Sequence, residues 1–299
     1  MSLLSRRQFL QLAGITLLDK SIHLGPMWPQ QITQADPALH GRTLMPTPVF
    51  SRPDQHSQLI STLWPDSIVA ILDQPTGWYQ LPNGFVRQTA VQPLLLHPVE
   101  PAAASVPFFG EVASPVASVR QWAAADGPLV TRIGHGGVTQ LVDYLPGDNH
   151  SGWYAVADSQ QAILGWTQAV HWQPVSLTPA IPLSDLQLEI QQTHQRLTVF
   201  QGQQALLQAP LSINMPLPTG TFDIKREDPH FPPFALSGTN TVIHAAPWPL
   251  KIAGRYAMVG VYWHNDFGQA APGPHIQLTA LAARWLYQHV NDNVFVTIV

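Results

Sequence analysis

The stretch "VYWHNDFGQAAPGPHIQL", Val261 to Leu278, gathers most of the side chains in this sequence that could do chemistry. Two aromatics, Tyr262 and Trp263, precede His264, Asn265 and Asp266; a run of small residues with Pro272 and Pro274 then leads to a second histidine, His275. An imidazole beside a carboxylate can be held in one tautomer as a general base, and a second imidazole can act as a nucleophile through a labile acyl-imidazole. Two histidines and a carboxylate are also the types that ligate a divalent cation. Their spacing matches no metal motif, so no metal is expected; the alternative is that they are polar groups of a loop and a pocket wall. The chain has no cysteine, which excludes disulfides, thiolate metal sites and a cysteine nucleophile.

Elsewhere the chemistry thins out. No G-x-S-x-G, P-loop or G-x-G-x-x-G stands in a strand–helix setting, so no cofactor is expected. "GHGG" at Gly134–Gly137 is only superficially like an oxyanion loop, and His230 and His244 read as pocket-lining residues rather than ligands. The formal net charge of −4 comes with no basic run or stripe, which excludes an electrostatic case for nucleic acid.

The elements that must position the loop are mainly β. Charged residues are 11% of the chain, about half the usual share, while 29 prolines, 20 glycines and 10 tryptophans suit short strands and tight turns. "LQLEIQQTHQRLTVFQGQQALLQAPLSIN" alternates apolar and polar residues around a turn and predicts a hairpin with a further strand. "MPLPTGTFDIKRED" predicts a turn into another strand. Just after the loop, Leu278, Leu281, Trp285, Leu286 and Val290 form a helical stripe that leaves Arg284 and Gln288 outside. "VFVTIV" closes the chain as a strand.

Upstream the chain repeats itself. "GRTLMPTPVFSRPD" at Gly41 matches "GEVASPVASVRQWA" at Gly110, Trp78-Tyr79 matches Trp153-Tyr154, and Gly84-Phe85-Val86 matches Gly165-Trp166-Thr167. A period of about 70 residues suits a duplicated small domain, and the alternation of short strands with turns predicts small barrels. Residues 41–98 and 110–176 resemble bacterial SH3-like domains, which implies modules that bind cell-wall peptides or pack on a catalytic domain. Trp78 and Trp153 are expected in the barrel cores.

The first residues, "MSLLSRRQFLQLAGITLL", carry Arg6-Arg7, Phe9-Leu10 and an apolar stretch too short to span a bilayer. They resemble a twin-arginine export signal, with a Pro- and Gln-rich linker reaching about residue 40. The resemblance implies an extracytoplasmic, wall- or membrane-associated protein with no membrane span beyond the signal segment.

Residues 186–299 resemble the YkuD-type catalytic domain of the L,D-transpeptidases. "RLTVFQGQQALLQAPLSI" resembles that family's opening hairpin, "LPTGTFDI" its T-P-T-G-x-F motif with Leu217 in place of threonine, "GVYWHNDFGQ" its H-G-T-Y-W-H-N-N-F-G, and "HIQLTALAARWLYQHV" its C-V-N-L-x-x-x-D-A-x-W-L-Y. The resemblance implies a mainly β fold, two small SH3-like barrels followed by a β-rich transpeptidase-like domain with one helix near the C-terminus. It also implies peptidoglycan or its stem peptides as partner. The departures fall on the chemistry. Val259 stands where the first catalytic histidine would be, Gly273 where the second would be and His275 where the cysteine would be, while Pro274 removes an N–H from the oxyanion segment. No catalytic residue is therefore expected, and Tyr262, Trp263, His264, Asp266 and His275 are the expected ligand-binding residues. The reading is a non-catalytic member that binds peptidoglycan peptide or a wall partner. The alternatives are a hydrolase or acyl-transferase working through His275, and a purely structural SH3-like interaction protein whose cleft is closed.

Overall fold

The computed structural model describes residues 39–95, 105–147, 152–178, 183–229, 232–236, 241–274, 276–291 and 293–299. The expected export signal, His230 and His275 lie outside the described residues.

Turn-rich sequence yields short strands, beginning with β1 (Leu39–Thr43), β2 (Thr47–Phe50), β3 (Leu59–Leu63), β4 (Ile68–Ala70), β5 (Trp78–Leu81), β6 (Gly84–Arg87) and β7 (Val91–Leu95). β1 pairs with β4 and β7, while β2 pairs with β3 and β6, and β6 with β5. A 3-10 turn, Gln88–Ala90, joins β6 to β7. The next segment repeats this plan with β8 (Phe108–Val112), β9 (Val116–Arg120), β10 (Leu129–Gly134), β11 (Val138–Leu145), β12 (Trp153–Ala157), β13 (Ile163–Gln168), a 3-10 turn at Ala169–His171, and β14 (Trp172–Pro174). The registers coincide. Trp78 lies opposite Arg87 as Trp153 lies opposite Gln168, and Phe50 opposite Phe85 as Arg120 opposite Trp166. The β2–β3 and β9–β10 ladders even slip at the same place, after Leu59 and after Leu129.

One difference separates the copies. β11 is long enough to pair with both β8 and β12, so the second copy is a single seven-stranded sheet. In the first copy β4 stops before "DQPTG", where Pro75 offers no N–H, and the sheet divides into three- and four-stranded parts.

The rest of the chain builds a nine-stranded mixed sheet from β15 (Leu186–Gln191), β16 (Arg196–Gln201), β17 (Gln204–Pro210), β18 (Ser212–Ile213), β19 (Gly220–Arg226), β22 (Leu250–Ile252), β23 (Tyr256–Val261), β24 (Ile276–Thr279) and β25 (Phe295–Ile298). A small hairpin, β20 (Phe234–Ala235) with β21 (Val242–Ile243), stands apart from it. The period-two pattern of "LQLEIQ" puts Leu186, Leu188 and Ile190 on the buried face. β23 and β24 run parallel, which requires a long crossover, and the loop that begins at Tyr262 is that crossover. All four residues of β24 are buried, as expected of a parallel strand covered on both faces.

The fold is thus mainly β, with α1 (Ala280–His289) the one α-helix among the described residues. Its N-cap is Thr279, whose hydroxyl accepts from the Ala282 N–H at 3.2 Å. No helix among the described residues is long and apolar enough to cross a membrane.

The expected helical stripe needs correction: Leu278 lies in β24, Val290 is the C-cap, and the buried helix residues are Ala282, Ala283, Leu286 and Tyr287, with Leu281 and Trp285 half-buried. Arg284 does not stand outside: it reaches Glu111 of β8, with Nη1 2.8 Å from Oε2. The helix's polar face is taken up by the neighbouring copy, which no periodicity within the helix can announce. The two units also share cores. Tyr262, Ile243 and Ala245 pack among Val112, Ile133, Leu141 and Trp172 of the second copy, and Val138 packs into the cluster of the nine-stranded sheet.

Candidate functional site

The loop that follows β23 is held by polar bonds at His264, Asn265, Asp266, Gly268, Ala271 and Gly273. Gln277, on β24, is fully buried at 0% exposure. Its Nε2 donates to the Ala271 carbonyl at 2.8 Å, which leaves Oε1 to accept from His264 Nε2 at 2.9 Å. The backbone N–H of Asp266 donates to His264 Nδ1 at 3.1 Å. An Nδ1 that accepts carries no proton, so Nε2 is the protonated nitrogen and the ring is the neutral tautomer. Burial pushes the His264 pKa below the usual histidine value, against smaller raising effects from Gln277 and Asp266. Both nitrogens of His264 are spent, and it has no lone pair free to accept a proton from a substrate.

Gly273 completes this closure. Its φ of +142° suits glycine, and a Cβ built there would stand 2.7 Å from Gln277 Oε1. A histidine at 273 and the present placement of Gln277 exclude each other. Val259 is fully buried in an apolar cluster with Ala246 and Val261, packed by Phe234, Trp263 and Phe267. Ser212 Oγ donates to the Asp266 carbonyl at 2.9 Å, the Gly268 N–H donates to the Leu211 carbonyl, and Asn214 donates to the Gly273 carbonyl.

The aromatic pair does not face a groove. Tyr262 turns into the second copy's core with 3% exposure, against Gly134 and Gly137 of the "GHGG" turn. A Cβ at Gly134 would meet Tyr262 at 2.5 Å, and Gly136 takes a φ of +82°, so the turn needs glycine for close approach at one position and for its backbone at another. His135 of the same turn points Nδ1 at the carbonyls of Ala113 and Ser114, both at 3.1 Å, and burial lowers its pKa. Trp263 stacks edge-on to Phe234 at 5.5 Å, beneath the β20–β21 hairpin. Asn265 donates to the carbonyls of Gln88 and Val91, at 2.9 and 3.1 Å, and so clamps the first copy's 3-10 turn.

The structure therefore brings His264 and Asp266 together, through the backbone of Asp266, and sends Tyr262 and Trp263 into packing. Among the described residues no three of His, Asp and Glu come together as a metal site. Gln277, Asn265 and Ser212 were missed by sequence reasoning. The one available signal was Gln277 itself, a lone amide within the apolar strand "IQLT".

The Tyr262 hydroxyl is buried and makes no hydrogen bond among the described residues. Burial also drives its pKa well above the usual tyrosine value. A buried hydroxyl without a partner costs roughly 1–3 kcal/mol, so Tyr262→Phe is expected to raise stability by about 1 kcal/mol. Urea denaturation of the two proteins checks this; a loss of stability would mean that the hydroxyl is in fact satisfied.

No family model matches this chain, and no curated protein does. Among solved structures it is similar to an L,D-transpeptidase from Xylanimonas cellulosilytica, with 16% identity over 42% of this chain and 64% of that one, at a TM-score of 0.31. It is similar to an L,D-transpeptidase from Stackebrandtia nassauensis, with 11% identity over 40% of this chain and 58% of that one, at a TM-score of 0.29. An L,D-transpeptidase from Mycobacterium tuberculosis aligns with 13% identity over 66% of this chain and 97% of its own, at a TM-score of 0.31. The chain spans less than two thirds of the length of the first two.

Proposed function

We propose that this chain is a non-catalytic protein of the L,D-transpeptidase kind that binds peptidoglycan peptide or a cell-wall partner. In this reading residues 41–98 and 110–176 are SH3-like modules, residues 186–299 are the YkuD-type domain, and residues 1–40 are a twin-arginine leader and linker that takes the protein out of the cytoplasm. The sequence motifs of residues 186–299 support the family. The observation that carries the loss of activity is Gln277, a buried amide bonded at both ends, set where Gly273 leaves no room for a side chain. General-base chemistry also lacks its base, because His264 is fixed neutral with both nitrogens engaged.

The test is direct. Full-length protein incubated with a stem-peptide donor is expected to give no acyl adduct by mass spectrometry and no cross-linked product, yet to co-sediment with purified peptidoglycan. Turnover that disappears on His275→Ala would overturn this reading in favour of a histidine-dependent hydrolase or transferase. Failure to co-sediment would remove the binding role.

One observation favours placing the binding surface on the repeats rather than on the loop. Tyr262, Asn265 and the backbone of Asp266 are all committed to internal contacts, so the loop serves as a joint between units.

A further inference from the structure

The two copies of the repeated barrel also differ beside the first tryptophan of "WY". In the first copy Trp78 is covered. Arg87 lies over its ring at 4.3 Å, Phe50 meets it edge-on at 5.7 Å, and its exposure is 5%. Arg87 is itself held by Gln55 Oε1 at 2.9 Å. The matching registers put Gln168 where the first copy has Arg87, Arg120 where it has Phe50, Ser118 where it has Pro48 and His171 where it has Ala90. Every one of these exchanges replaces a covering or apolar group by a shorter or polar one.

The result is a cleft of about 100 Å³ lined by Ser118, Arg120, Ala125, Trp153, Gln168 and His171. Trp153 is half-buried there rather than covered. Arg120 is oriented by one bond, Nη1 to the Gly127 carbonyl at 2.6 Å, and pairs with no carboxylate among the described residues. The Ser118 hydroxyl, the Gln168 amide, the His171 ring and the Trp153 indole N–H make no hydrogen bond among the described residues. Burial keeps His171 below the usual histidine pKa, so it presents one donor and one acceptor near neutral pH. Polar groups of four side chains that make no hydrogen bond among the described residues thus converge beside the Arg120 guanidinium and an aromatic wall. In the first copy the same place is filled.

We infer that this cleft of the second barrel is a binding site for the terminal carboxylate of a short peptide with small side chains. Arg120 takes the carboxylate as a charge-assisted pair, the Trp153 face carries the small apolar side chain, and Gln168, His171 and Ser118 bind the last peptide group. The small size of the cleft suits a carboxylate with a methyl-sized side chain. The inference rests on the wall-binding reading and gives it a ligand group and a place.

The test uses the full chain, with N-acetyl-alanyl-alanine and its C-terminal amide as probes, followed by two-dimensional NMR of the tryptophan indole and backbone signals. The acid is expected to shift the Trp153 and His171 signals and to bind about tenfold or more tighter than the amide, because only the acid forms the charged pair. Arg120→Phe, which installs the residue of the first copy, is expected to abolish binding of the acid. His171→Ala, again the residue of the first copy, is expected to weaken it while leaving the spectrum folded, so a folding failure of the first variant does not decide the matter. Equal binding of acid and amide, or unchanged binding in His171→Ala and Arg120→Phe, overturns the inference. Peptidoglycan co-sedimentation of the wild type separates the two readings. Sedimentation without binding of the acid removes this site and leaves the wall-binding reading, whereas binding of the acid without sedimentation removes the wall-binding reading and leaves the site.

Discussion

Glu111→Ala is expected to destabilise the protein by about 3 kcal/mol or more, the scale for breaking a buried ion pair from one side. The Glu111 side chain is 6% exposed and receives three donors from three places in the chain. Arg284 of α1 reaches Oε2 at 2.8 Å, Gln173 of β14 reaches the same oxygen at 3.0 Å, and Trp248 Nε1 reaches Oε1 at 3.2 Å. Alanine leaves a half-buried guanidinium and a buried indole N–H without an acceptor, which costs more than the carboxylate's own contacts are worth. Glu111→Gln is expected to cost less, because the amide oxygen still accepts from Trp248 or Arg284. The double variant Glu111→Met, Arg284→Met is expected to recover much of the loss, since desolvating the pair offsets most of its attraction. Chemical denaturation of the wild type, Glu111→Met, Arg284→Met and the double variant measures the coupling. Additive effects of the two single changes would show that the pair does not join the units.

Arg42→Met is expected to loosen the first barrel from the rest of the chain. Arg42, on β1, is 7% exposed and stands where three parts of the chain meet. Its guanidinium donates to Gln92 Oε1 at 3.2 Å in its own barrel, to the Pro115 carbonyl at 3.3 Å in the second, and to the Tyr262 carbonyl at 3.1 Å in the last domain. Nε lies 3.0 Å from Asp66 Oδ1, an ion pair. Burial lowers the Arg42 pKa and Asp66 opposes it, so the charge is kept in place by that carboxylate. Removing the donors strands two or three acceptors, for an expected loss of roughly 3 kcal/mol. Arg42→Lys is expected to rescue little, because one ammonium cannot serve acceptors spread around a planar fork. Hydrogen exchange reads the outcome: protection is expected to fall in β1, β4 and β7 before it falls in the nine-stranded sheet. Uniform loss across the chain would show Arg42 to be an ordinary core residue rather than a joint.

Much of the architecture was legible in the sequence, because it depends on local patterns. The alternation in "LQLEIQ", the turns rich in proline and glycine, the apolar stripe after residue 278 and the last strand all follow from periods of two and 3.6, which a chain carries in one dimension. That Val259 and Gly273 bring no acid, base or nucleophile was legible as well, since it is a statement about residue types.

What the tertiary structure decided is where polar side chains find their partners. Arg284 looked solvated on its helix and is paired with Glu111. Tyr262 and Trp263 looked like a cleft wall and are packed inside. Arg42 and Asn265 carried no local signal, yet they tie distant segments together. His264 looked available, and only the placement of Gln277 and the Asp266 N–H shows both its nitrogens engaged. The repeated barrels make the same point, since near-identical strand registers produce a covered tryptophan in one copy and an open cleft in the other. Strand and helix periods arise from the backbone's own geometry, whereas a hydrogen bond or ion pair depends on which groups the fold brings within about 3 Å of each other. That distance is a property of the folded chain and not of the order of its residues.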